Sequence, residues 1–275
     1  MTDGTVIYEL SSYDGEWEDV EAEVIEERQL SIFVNGRELV ALMCTPSDPA
    51  QLALGFMANE GLIKSMADVE ICHVCSGGGC VDLWLAHSIW DKPRRRVITS
   101  GCSGGQTFRD LAASQTPVES DISVSPAQLG ILLNQLQSRD SLYARAGGVH
   151  ASALSNGHEL LVIAEDIGRH NTIDRLRGEC LRRGIDPHGL ILLTSGRISS
   201  EMINKAVQMG CPVVASRTSP TSLTVELARA WNITLCGYVR RNRMKVYAHP
   251  HRLLLPQAQQ PKPNGLQAQS AFSKE

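Results

Sequence analysis

From residue 146 onward, short apolar runs alternate with amphipathic stretches, and this rhythm constrains the fold more than any other feature of the chain. Leu160–Ala164 reads as a strand that leads through Glu165-Asp166-Ile167-Gly168-Arg169-His170 into a helix with Ile173, Leu176 and Cys180 inward. Leu190–Leu193 leads through Thr194-Ser195-Gly196-Arg197 into a helix with Met202, Ile203, Ala206 and Val207. Pro212–Ala215 leads through Ser216-Arg217-Thr218-Ser219-Pro220 into a helix with Leu223, Leu227 and Trp231. Ile233–Tyr238 then turns through Val239-Arg240-Arg241-Asn242-Arg243 into Met244–Ala248. Continuous apolar strands joined through helices are buried on both faces and pair in parallel. The expected architecture is α/β, with a C-terminal mostly parallel sheet, helices on both faces and a hairpin at one end. The sheet is expected to start at Leu160, with Ala146–Ala153, including His150, ahead of it.

Ligands of open α/β sheets bind beyond the carboxyl ends of the strands. Here those ends lead into Arg169-His170, Arg197, Ser216-Arg217 and the Tyr238–Arg243 turn. Helix N-termini favour anions by roughly 0.3–1 kcal/mol apiece, and guanidinium groups bind phosphate through paired hydrogen bonds. The pattern predicts one rim for a phosphate-rich or nucleotide-like ligand. The competing reading pairs these arginines with Glu165, Asp166 and Glu201. No Walker sequence and no Gly-x-Gly-x-x-Gly follows a strand, so nucleotide hydrolysis and dinucleotide redox chemistry lack support. A zinc deaminase would place Glu two residues after His150, where Ser152 stands, and the only Cys-x-x-Cys lies upstream at Cys72 and Cys75.

A second constraint is Thr99-Ser100-Gly101-Cys102-Ser103-Gly104-Gly105, which has no bulky side chain to pack. Arg94, Arg95 and Arg96 precede it, and nearby positive charge favours a thiolate. Cys102 is the candidate nucleophile, set against an inert surface cysteine.

The first half reads as β-rich. Leu30–Val34, Asn35-Gly36 and Leu39–Met43 make a tight hairpin, and Asp48-Pro49 caps a helix to about Glu60. Residues 14–27 hold eight carboxylates and no basic residue, with Glu21 and Glu23 alternating with Ala22 and Val24 as in an edge strand. Residues 69–86 read as two strands around Cys72, Cys75 and Cys80. With His73 these allow a metal site, but a reduced glycine-rich hairpin is the favoured reading, and no metal is predicted. Ser125-Pro126 opens another helix, with Leu129, Leu132, Leu133 and Leu136 on one face. Residues 1–115 are expected as an N-terminal domain ending in the Cys102 loop, 116–252 as the α/β domain and 253–275 as a disordered tail. A net charge of −4 argues against broad nucleic-acid binding. The absence of a signal peptide or a membrane-length apolar run gives a cytoplasmic expectation with reduced thiols.

These motifs together carry a family likeness over about residues 20–252. Ala53-Leu54-Gly55-Phe56, Ser100-Gly101-Cys102, Glu165 through Asn171, Ser195-Gly196-Arg197, Ser216-Arg217, Thr221 through Ala228 and Val246 through Pro250 occur in order. The chain resembles the formate dehydrogenase accessory sulfurtransferases, the FdhD family. The resemblance implies a cytidine deaminase-like C-terminal fold and a homodimer. It implies a persulfide on Cys102, taken from a cysteine desulfurase and passed to the molybdenum cofactor, bis-(molybdopterin guanine dinucleotide), before insertion into formate dehydrogenase. Tyr238, Val239, Arg240, Arg241, Asn242 and Arg243 would lie in the cofactor-binding segment, together with Arg169, His170, Arg197, Ser216 and Arg217 of the rim. Many members carry a second cysteine where Gly105 stands here, which keeps a non-catalytic cofactor chaperone as the second function.

Overall fold

The computed structural model describes residues 4–89, 97–98, 106–107, 115–136, 141–241 and 243–254. Cys102 with its loop, Arg94, Arg95, Arg96, Asn242 and residues 255–275 of the expected 253–275 tail lie outside the described residues.

A two-stranded antiparallel ribbon opens the chain, β1 (Thr5–Tyr13) with β2 (Trp17–Ile25). The acidic stretch of the sequence runs along β2. The next hairpin pairs β3 (Arg28–Val34) with β4 (Arg37–Cys44). Asn35 and Gly36 hold φ of 50° and 74°, the left-handed angles that a primed two-residue turn needs. Asp48 then caps α1 (Pro49–Asn59), its carboxylate accepting from Gln51 N at 3.0 Å. β5 (Val69–Val74) and β6 (Cys80–Leu85) complete a sheet of order β4-β3-β6-β5. Period-2 patterning puts Leu30, Ile32 and Val34 of β3 and Val81, Leu83 and Leu85 of β6 into a core with Leu52, Phe56 and Met57 of α1. A short pair, β7 (Val97–Ile98) with β8 (Gln106–Thr107), flanks the Cys102 loop.

The second half begins with α2 (Pro126–Gln135), capped by Ser125 Oγ on Gln128 N, and α3 (Leu142–Ala146). It continues with β9 (His150–Ser155), β10 (Leu160–Asp166) and α4 (Arg169–Arg183). Next come β11 (Ile191–Thr194), α5 (Ser200–Gln208), β12 (Val213–Ser216) and α6 (Ser222–Ala230). The closing hairpin is β13 (Thr234–Arg240) with β14 (Arg243–Ala248). Leu253 bridges back to Val124, so packed chain continues to Leu254.

The six strands lie in the order β10-β9-β11-β12-β13-β14. Helices cover both faces as expected. Leu154, Leu192, Val214 and Leu235 pack on α4, α5 and α6, while Ala153, Leu193, Ala215 and Cys236 pack on α2. Two features correct the sequence reading. The sheet is mixed: β11-β12-β13 pair in parallel and β14 forms the expected hairpin with β13, but β9 runs antiparallel to both of its neighbours. Hydrophobic periodicity marks strands but carries no direction, so the reversal of β9 was silent. The sheet also starts earlier than Leu160, because β9 lies inside it between β10 and β11. Its Ala151, Ser152 and Ala153 have low strand propensity, but small side chains suit a strand pressed by helices on both faces.

The two halves are joined through α1 and α4, which pack backbone to backbone. A Cβ on Gly55 would collide with the Asp174 carbonyl, and one on Gly178 with the Gln51 carbonyl. Beside this contact Arg175 enters the loop between β4 and α1. Its Nε lies 2.8 Å from Asp166 Oδ2, its Nη2 donates to Thr45 O at 2.6 Å, and its Nη1 donates to Ser47 O. Asn171 Nδ2 donates to Met43 O at 2.8 Å, near the end of β4.

Candidate functional site

Although β9 is reversed, β10, β11, β12 and β13 all run in one direction. Their carboxyl ends therefore share one rim, and the antiparallel β9 contributes its first residue, His150, to it. Asp166 ends β10 and shapes the start of α4: its Oδ1 accepts from Gly168 N at 2.8 Å and from Asn171 Nδ2 at 2.9 Å. That turn presents Arg169 and His170 as the first residues of α4.

Arg169 is buried, its Nε has no hydrogen-bond partner, and among the described residues no carboxylate pairs with it. Gly196 backs directly on it: a Cβ there would lie 3.1 Å from Arg169 Cβ and 3.3 Å from His150 Nδ1. Arg197, exposed, follows on the same loop. Burial first, and then the Arg169 and Arg197 charges, lower the His150 pKa. His150, Arg169 and Arg197 thus form a cationic corner with a neutral imidazole. Among the described residues no ion pair joins Arg169 or Arg197 to a carboxylate. Asp166 is taken by Arg175, and Glu165 accepts from the Leu142 and Tyr143 amides at 2.8 and 3.2 Å.

His170 shares the rim segment but turns inward. Its Nε2 lies 3.0 Å from Ser199 Oγ and 3.6 Å from Glu201 Oε2. Desolvation, followed by Lys205, Arg169 and His150, pushes its pKa down to about 3, so the ring is neutral. It acts as a hydrogen-bonding support under the rim. Deeper still, Lys205 Nζ lies 2.6 Å from Asp174 Oδ2, and both side-chain polar atoms of Asn204 are buried without partners. The helix periodicity in the sequence marked Met202, Ile203 and Ala206 of α5 and passed over these polar neighbours.

The other half of the rim is built by Ser216, Arg217 and the β13–β14 turn. Ser216 Oγ is buried and structural, donating to Gly196 O at 2.6 Å and accepting from Thr218 N at 2.9 Å. Arg217 reaches α2, donating from Nη2 to Asn134 Oδ1 at 2.5 Å, while its Nε is buried without a partner. Burial, with Arg240 next, lowers its pKa. Arg240 Nη1 donates to Arg217 O at 2.8 Å. Tyr238 is exposed at a left-handed φ of 53°, which throws its ring outward at the irregularity before Arg240. Lys245 Nζ stands 4.9 Å from that ring's centre. Tyr238, Arg240, Arg243, Met244 and Lys245 line an open cavity of about 340 Å³. Val239 points into the core, and Arg241 is exposed at the turn, where Gly130 of α2 lets the backbone come close. Lys245 was missed because its strand alternation reads as an ordinary solvent-facing lysine.

Among the cysteines, Cys44, Cys180, Cys211 and Cys236 are buried. Desolvation pushes Cys44 and Cys236 up to about 12 and Cys180 to about 11, and raises Cys211 as well. Such thiols stay protonated and unreactive. Cys72 is exposed. Cys75 and Cys80 form a disulfide, which corrects the expectation of a reduced hairpin. The register sets them opposite each other with Cα atoms 5.3 Å apart, within bonding range. No group of three or more His, Cys, Asp or Glu suited to a metal occurs among the described residues. No helix among them is long and apolar enough to cross a membrane.

Comparison with known proteins adds to this geometry. The model of the FdhD/NarQ family matches residues 25–254. A protein of Bacillus subtilis named sulfur carrier protein FdhD is 36% identical over 256 residues, covering 90% of this chain and 97% of the relative. One of the same name from Staphylococcus aureus is 34% identical over 247 residues, covering 88% and 93%. The crystal structure of a protein from Desulfotalea psychrophila, described as a formate dehydrogenase accessory protein, superposes with a TM-score of 0.72 at 25% identity. That match covers 91% of this chain and 99% of the other.

Proposed function

Because this chain belongs to the FdhD/NarQ family, we propose that it is a sulfur carrier serving formate dehydrogenase, with Cys102 as the carrying thiol. The Cys102 thiolate attacks the outer sulfur of a persulfide on a cysteine desulfurase. The donor's S–S bond breaks, the donor thiolate leaves, and the sulfur remains as a persulfide on Cys102. The recipient is the molybdenum cofactor, bis-(molybdopterin guanine dinucleotide), held as cargo at the rim and then released to formate dehydrogenase. In this reading the chain is a sulfurtransferase, works in the cytoplasm as a homodimer, and needs neither nucleic acid nor a membrane.

The observation that carries the cargo assignment is the buried guanidinium of Arg169, which no carboxylate among the described residues pairs, on a rim with Arg197, Arg217, Arg240 and Arg243. A buried cation without a counterion is costly, and an arriving phosphate relieves that cost. His150 and His170, held neutral, line or support this rim without adding charge. Tyr238 offers a ring for stacking on a purine, with Lys245 and Arg243 beside it for phosphate.

Intact-protein mass after incubation with a cysteine desulfurase and cysteine tests the carrier role. The expected result is a thiol-reducible gain of one sulfur atom in wild type, absent from Cys102→Ser. A Cys102→Ser chain that still supports full formate dehydrogenase activity while binding guanine nucleotide would overturn it and establish the cofactor chaperone instead.

A further inference from the structure

The cysteine hairpin at the edge of the N-terminal sheet has no part in the function above. Cys75 N donates to Cys80 O at 3.0 Å and Gly78 N donates to Cys75 O at 2.9 Å, so backbone bonds alone close the turn. The disulfide therefore spans a hairpin that is already held, across a sequence separation of only 5. Closing so short a loop restrains the unfolded chain less than a long-range disulfide would, and the turn's backbone bonds already hold the native hairpin. The surroundings suit exchange instead. A Cβ added at Gly77, Gly78 or Gly79 would meet nothing within 4 Å, so the turn leaves the two half-exposed cysteines open to approach. Beside it lies a cavity of about 580 Å³ lined by Arg28, Pro46, Pro49, Val74, Cys75 and Gly77. Arg28 Nη1 donates to Gly77 O at 2.9 Å and its Nη2 pairs with Glu26, so this side chain pins the turn beside Cys75.

We propose that Cys75 and Cys80 are a second sulfur-handling site, a resolving dithiol that discharges persulfide sulfur as hydrosulfide. The inference rests on the sulfur-carrier reading, since it supplies the persulfide. In the reduced pair, the Cys75 thiolate attacks the outer sulfur of R–S–SH, the S–S bond of that persulfide breaks, and R–S⁻ leaves. The Cys80 thiolate then attacks the inner sulfur of the Cys75 persulfide, expelling HS⁻ and forming the Cys75–Cys80 disulfide. The two thiols lose two electrons, the outer sulfur gains them, and their two protons pass to R–S⁻ and HS⁻. Two molecules of a small thiol return the pair to its reduced form and leave joined as their own disulfide. A Cys75–Cys80 disulfide is the end state of this sequence.

The test uses full-length protein in a Cys102→Ser background, reduced and then freed of reductant, with glutathione persulfide as the probe. The expected result is one hydrosulfide released per chain and a mass loss of two hydrogens, unchanged by a further Cys72→Ser substitution. Cys80→Ser should release roughly tenfold less hydrosulfide, or less still, and keep one extra sulfur on the peptide bearing Cys75. Cys75→Ser should show neither effect. Equal hydrosulfide release from all variants, or a dithiol left intact in the Cys102→Ser background, overturns the proposal and leaves the disulfide as a staple. Because Cys102 is absent throughout, this outcome is independent of the desulfurase experiment.

Discussion

Arg169 and Arg175 stand on the same helix, α4, and both are buried, yet their surroundings are opposite. Arg175 is saturated: Asp166 takes its charge, and the carbonyls of Thr45 and Ser47 take its remaining donors. Arg169 has neighbouring histidines, a glycine pressed against its side chain and, among the described residues, no carboxylate partner. A buried guanidinium with all partners in place fastens two parts of a chain together. One left without them is, in the function proposed above, the receptor for an anion. Asp166 links the two, since it pairs with Arg175 and also sets the turn that presents Arg169.

The largest effect that would sharpen this contrast is on stability. Arg175→Met strands the Asp166 carboxylate in the interior and frees the carbonyls of the β4–α1 loop, so we expect a loss of about 3–5 kcal/mol. Arg169→Ala removes an unpaired buried charge and should stay within about 1 kcal/mol of wild type. Urea unfolding of the two variants reads the difference directly. Similar losses in both would abolish the distinction between fastener and receptor.

Ligand affinity reverses the ranking. Arg169→Ala should weaken binding of a guanine nucleotide by about 10- to 100-fold, the range of a lost charge-assisted hydrogen bond. Arg217→Ala should follow, and Arg183→Ala at the far end of α4 should bind as wild type. Titration calorimetry with guanosine diphosphate measures all three. Equal affinities would remove the rim as the binding site.

Little of this contrast could be read from the sequence, although much of the scaffold could. Asn35-Gly36, Asp48-Pro49 and Ser125-Pro126 announced a turn and two helix starts because their geometry is local. The arginines after the strand ends could be placed on one rim for the same reason: strand-to-loop order survives even though β9 and β14 are reversed. Partnership is not local. Arg175 owes its role to a loop 127 to 130 residues away in sequence, and nothing in Ile173-Asp174-Arg175-Leu176 distinguishes it from a solvent-facing helix arginine. The same holds for Cys75 and Cys80, whose pairing depends on hairpin register. His170 looked like a rim ligand from its position, and only packing shows its ring turned toward Ser199 and Glu201.

The inward turn of His170 has a pH consequence of intermediate size. Its folded pKa of about 3 lies below the ordinary histidine value of 6.5. Between those two values the unfolded chain binds a proton that the folded chain refuses. Stability is then complete above about pH 6.5 and falls as the pH drops toward 3, with a slope of about 1.4 kcal/mol per pH unit from this group. His170→Gln keeps a donor for Ser199 or Glu201 and cannot take up the proton. Urea midpoints at neutral and mildly acidic pH should therefore separate less in the variant. The same separation in both proteins would show that His170 is not held neutral by the fold.

The smallest expected effect concerns Arg197, which belongs to the same corner as Arg169 but is exposed. Water and salt already screen an exposed guanidinium, so its attraction for a phosphate is worth less than about 1 kcal/mol. Arg197→Ala should weaken guanine nucleotide binding only about two- to fivefold. That deficit should vanish at high ionic strength, whereas the Arg169→Ala deficit should persist because burial shields Arg169 from the salt. Two calorimetric titrations of each variant, at low and high salt, test the point. A salt-insensitive loss for Arg197 would mean that it closes over the ligand when bound, and the rim would then be completed by its cargo instead of standing preformed.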